Sequence, residues 1–110
     1  VDKPLESDWK TFRKRVPEWR ERYLTAKNQQ LVALLGDISK TPTERFWDLE
    51  KQHQKTARVL YDCLDGHTRS RMEMYLCLMY RHQMIKAEDL DEFSAPLKER
   101  ILRMAEAFGG

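Results

Sequence analysis

Metal-ligand spacing is the first thing missing from this sequence. Two cysteines and three histidines occur in 110 residues, with no C-x-x-C and no H-E-x-x-H among them. Cys63, His67, Cys77 and His82 crowd into one stretch, but zinc needs its donors within about 2.0 to 2.3 Å of one point. If the chain turns at Gly66 between two antiparallel helices, Cys63 faces Ser70, and Cys77 lies about 10 Å farther along at about 1.5 Å per residue. Cys77 and His82 do not share a face either, because a spacing of five turns a helix about 140° beyond a full circle. The sequence therefore predicts no metal site, no haem, no cofactor of any kind and no Cys63–Cys77 disulfide, which needs Cα atoms within about 7 Å.

Glycine and proline are equally sparse, at four each, against 35% charged and 41% hydrophobic residues. That balance excludes disordered, fibrous and loop-rich chains and points to a helix-rich globular one. No apolar run approaches the roughly 18 residues of a membrane span. "VDKPLESDWK" lacks the apolar core of a secretory signal, so the expected location is cytoplasmic and no membrane partner is expected. A net charge of +2 is too small to imply a nucleic-acid partner by itself. Glycine-rich phosphate loops, G-x-S-x-G and paired catalytic carboxylates are all missing.

What is present is helical periodicity. "KTPTERFWDLE" carries the strongest boundary: Thr41 caps, Pro42 takes the first helical position and Glu44 completes a capping box. From there Phe46, Leu49, His53, Thr56, Ala57, Leu60 and Leu64 form one stripe, and Gly66 ends the helix. Upstream, Trp9, Phe12 and Val16 mark a short helix after Ser7 that Pro17 is expected to break. A second helix then runs to about Leu35 with two apolar groups: Trp19, Tyr23, Ala26 and Leu34, and beside them Leu24, Leu31 and Leu35. Downstream, Thr68 is expected to cap a helix through Ile85 that is apolar nearly all round: Met72, Tyr75, Leu76 and Met79 on one side, Met74, Leu78 and Ile85 on the other. A short acidic turn follows, and Ser94 with Pro96 opens a last helix bearing Leu97, Ile101, Met104, Ala105 and Phe108. The expected fold is all-α, a small bundle of five to six helices with an antiparallel hairpin around Gly66, in one domain over residues 1–110 after a tail at 1–6.

For function the pattern favours a protein-interaction or regulatory module without intrinsic catalysis. The surplus stripe Met74, Leu78 and Ile85 is the expected partner face and fits a homodimer. The charged turn with Asp65, His67 and Arg69 is a second candidate partner surface. Eight basic against five acidic residues in the first 36 raise a weak nucleic-acid binder as the alternative, with Lys10, Arg13 and Lys14 on phosphates. Third comes an enzyme using His53, whose place in the apolar stripe predicts a buried neutral imidazole level with Tyr80.

Overall fold

In a computed structural model of the protein, residues 5–107 are described. Helices take up 83% of them and no strand forms among them, so the chain is all-α. The first helix, α1, runs Glu6–Leu35 without interruption, and Pro17 lies inside it. This corrects the expected break. Phe12, Val16, Trp19 and Tyr23 are all buried and continue a single stripe across the proline. On either side of it, Arg15 pairs with Glu92 at 2.6 Å and Arg22 with Asp89 at 2.8 Å. An interior proline costs about 3 kcal/mol, and tertiary contacts on both flanks offset that cost here.

The second helix, α2, spans Pro42–Leu64 and begins as expected: Thr41 accepts from the Glu44 N–H, and the Glu44 carboxylate accepts from the Thr41 N–H at 2.8 Å. It runs antiparallel to α1. Arg45 reaches the Leu35 carbonyl at 3.1 Å, Tyr23 lies near Cys63, and the Phe12 and His67 rings are 4.8 Å apart. Gly66 adopts φ 76°, a left-handed turn that suits glycine. The Tyr75 hydroxyl donates to the Asp65 carbonyl at 2.6 Å and pins that turn.

After a 3₁₀ turn at Arg69–Arg71, α3 covers only Met72–Arg81 rather than continuing to Ile85. It ends in a Schellman motif: the Met84 N–H donates to the Met79 carbonyl at 2.8 Å and the Gln83 N–H to the Tyr80 carbonyl at 3.1 Å. Gln83 takes the left-handed position at φ 62°, where glycine is usual. No glycine announced this stop. Its consequence is that Met84 and Ile85 fold back into the core.

A 3₁₀ segment, Ala87–Glu92, leads to α4 at Ala95–Ala107, which buries Leu97, Ile101 and Ala105. Phe108, expected on the same face, and residues 1–4 of the expected tail lie outside the described residues. Ser94 does not spend its hydroxyl on the helix it precedes. It donates to buried Asp8 at 2.6 Å, and its N–H donates to the other Asp8 oxygen at 2.8 Å, which ties the first turn of α1 to the start of α4.

The core gathers Phe12, Val16, Trp19 and Tyr23 of α1 with Cys63, Leu76, Met79, Leu90 and Ile101. It occupies one end of the molecule. From residue 24 to residue 55 no side chain is buried, so the far halves of α1 and α2 project as a two-helix arm. The radius of gyration is 16.6 Å and the longest extent 54 Å, against about 13 Å for a compact chain of this length.

Candidate interaction surface

The end of the arm inverts the usual order of a protein surface. Its charged and polar groups are engaged locally. Asp37 accepts from the Ser39 hydroxyl at 2.6 Å and from its N–H, contacts that hold the Asp37 carboxyl below its ordinary range. Lys40 pairs with Asp48 at 2.5 Å, which keeps its ammonium charged to higher pH than usual. Glu44 is held in the capping box and Arg45 donates to the Leu35 carbonyl.

The large apolar side chains, by contrast, face water. Val32 is 70% exposed, Leu35 52%, Ile38 93%, Phe46 59% and Trp47 61%. Phe46 and Trp47 meet edge to face at 4.9 Å. Single exposed hydrophobics are ordinary, whereas five large ones gather here at one end of the arm. The local cause is plain: the seam of the arm uses Leu31, Leu34 and Leu49, each half-buried, and a second helix covers only one side of the first. Everything off that seam stays open.

Phe46 thus corrects the expected stripe of α2, which stays open at its head and closes only from Thr56 onward. His53 corrects it too. It is exposed on the arm, so the imidazole expected to be buried against Tyr80 stands in water and has no sheltered site for base chemistry.

The expected partner stripe on α3 does not form one face. Met74 is 44% exposed, Leu78 packs partly against the core, and Ile85 is 2% exposed and lies beyond the end of the helix. The charged turn is engaged with α1. Arg69 pairs with Glu6 at 3.1 Å and lies over Trp9 at 5.8 Å. The His67 ring packs between Phe12 and Tyr75, and its Nε2–H donates to the Cys63 carbonyl at 2.7 Å, while Asp65 contributes its carbonyl to Tyr75.

Cys63 and Cys77 are both buried free thiols, and burial pushes the Cys63 thiol up to about 12. Such a thiol is neither a ready nucleophile nor a ready metal ligand. Among the described residues no three His, Cys, Asp or Glu side chains gather where they could hold a metal ion. No helix among them is long and apolar enough to cross a membrane.

Lys10, Arg13 and Lys14 are exposed along the near part of α1, and no described carboxylate pairs with them. Arg13 lies over the Trp9 ring at 6.0 Å. Beside them Trp9, Phe12, Arg13, Val16, Pro17 and His67 line a shallow cleft of about 250 Å³.

Compared with known protein families, curated protein sequences and solved structures, the chain matches none. The geometry therefore carries the functional reading alone. Of the arm's apolar end, sequence reasoning picked out Leu35, in the second apolar group of its helix, and Phe46, in the α2 stripe. It passed over Val32, Ile38 and Trp47, because helical periodicity does not say how many layers will cover a helix. The available signal was "NQQLVALLG", nine residues without a charge, beside "FW" at the start of the facing helix.

Proposed function

We propose that this protein is a helical protein-interaction module that works by docking rather than by catalysis, in the cytoplasm and without a cofactor. The apolar end of the arm is its docking surface, and its body is a small helical bundle turned at Gly66. One observation carries the reading: Val32, Leu35, Ile38, Phe46 and Trp47 are more than half exposed, while Lys40 is paired with Asp48 and Arg45 donates to the Leu35 carbonyl. Apolar surface held away from water by nothing in the chain itself is the main source of association energy.

A photo-crosslinking amino acid at Ile38 tests this, with one at Tyr61, exposed on the body end of α2, as control. The expected result is a discrete cross-linked protein from Ile38 alone, lost in Val32→Glu and Phe46→Glu. No adduct from Ile38, or an adduct that both substitutions leave intact, overturns the assignment.

A second reading has its own support in Lys10, Arg13 and Lys14, three exposed cations without a described carboxylate partner. A phosphate backbone laid along α1 would be held there, with affinity falling steeply as salt rises. Neutralising the three should weaken binding to single- and double-stranded nucleic acid alike; absence of binding at low salt ends that reading.

A further inference from the structure

We propose that the arm is half of a four-helix bundle, completed by the arm of a second copy of this chain. The inference rests on the arm being the docking surface and names its occupant. Two helices cannot close a core between themselves, and the arm shows it: from residue 24 to residue 55 the seam residues reach only intermediate burial. A second helix pair laid on one side supplies the missing layer.

Helix geometry picks the side. At 100° per residue, Leu31 and Leu34 point at α2, while Leu35 and Val32 rotate off the seam to one flank of α1. Phe46 rotates off the seam of α2 in the same sense. Because the helices are antiparallel, these two flanks lie on the same side of the pair, and the Trp47 ring meets Phe46 at the outer ridge of that side. Exposed Lys51 and Lys55 fall on the opposite flank.

Charge favours an identical partner. A twofold interface sets a patch against itself, so any net charge on the patch repels its own copy. The α1 stretch from Asn28 to Gly36 carries no charge, and Lys40 and Arg45 are already engaged with Asp48 and the Leu35 carbonyl. The five exposed side chains at the arm's end together offer on the order of 600 Å² per chain, against the roughly 800 Å² that each partner contributes to a standard interface; Val32, Leu35 and Phe46 supply the share on this flank. The amide of Asn28, also exposed and on the same flank as Leu35, suits a polar rim.

Sedimentation equilibrium on the full chain up to about 100 µM tests the proposal. The wild type should be a dimer. Val32→Glu and Phe46→Glu should weaken association at least about 100-fold, since each places a charge against its own copy, with helicity unchanged because both sites are exposed. Mixing Phe46→Glu with Phe46→Lys should restore dimers containing one chain of each, which only contact of the patch with itself can do. A wild-type monomer throughout overturns the proposal, as does a dimer that neither substitution disturbs, or a mixture that stays monomeric. If the wild type is a monomer and the Ile38 probe still traps another protein, the second copy falls and the docking surface stands; if that probe traps nothing, both fall.

Discussion

The same two helices behave differently at their two ends. At the body end, α1 and α2 bury Phe12, Val16, Trp19, Tyr23, Thr56 and Cys63 because α3, α4 and the Ala87–Glu92 segment cover them. Along the arm, the two helices have only each other, and burial stops at Tyr23 on one and Thr56 on the other. Helix formation is as complete in the arm as in the body. Regular secondary structure and a closed core are therefore separate achievements: the first needs local capping and one apolar seam, the second a third layer. The arm has the first without the second.

Core truncation gives the widest contrast. Leu76→Ala, at a fully buried site, should cost about 2 to 5 kcal/mol in denaturant unfolding. A loss no larger than that of a surface substitution would mean that the body is as loosely covered as the arm.

Alkaline pH should act on the body next. Because burial raises the Cys63 thiol from 9.0 to about 12, the unfolded chain gives up its proton first and binds fewer protons than the folded one. Stability from this group is full below pH 9 and drains as pH rises toward 12, by roughly 1 kcal/mol per unit. Thermal melts between pH 8 and 11 should show a shallower decline in Cys63→Ala than in the wild type. Equal slopes would place that thiol in contact with solvent.

Asp8 joins the two ends of the body through Ser94. Asp8→Ala should cost about 2 kcal/mol, the range for hydrogen bonds to a buried charged group. Hydrogen exchange should quicken at the start of α4 and stay unchanged in the arm. In the opposite direction, Gln83→Gly should stabilise the chain by about 1 kcal/mol, since it removes a side chain from a left-handed position. No gain in the denaturation midpoint would indicate that α3 does not end in that motif in solution.

The smallest expected effect lies in the arm. Val32→Ala, measured at a concentration where the chain is monomeric, should change stability by no more than about 0.5 kcal/mol, as exposed sites do. A loss of several kcal/mol would erase the distinction between the regions.

Much of the local structure was legible in the residue string. The capping box at Thr41 and Glu44 appears where the motif predicts it, and α4 buries Leu97, Ile101 and Ala105 as their spacing requires. Capping and periodicity are short-range properties, so a sequence carries them openly. Three features were not legible in this way. Pro17 stays helical because Phe12 and Val16 before it and Trp19 and Tyr23 after it are buried in one core. The stop after Arg81 was masked because glutamine, not glycine, holds the left-handed position, and that stop divides the expected Met74, Leu78 and Ile85 stripe. Phe46 and His53 lie on a helix whose apolar pattern reads as continuous, yet only its second half meets a further layer. The sequence by itself determined that the chain is all-α and which faces of its helices are apolar. Tertiary structure alone decided which of those faces are covered, because covering one requires a partner element to arrive, and where none arrives the same leucines and aromatics become a surface.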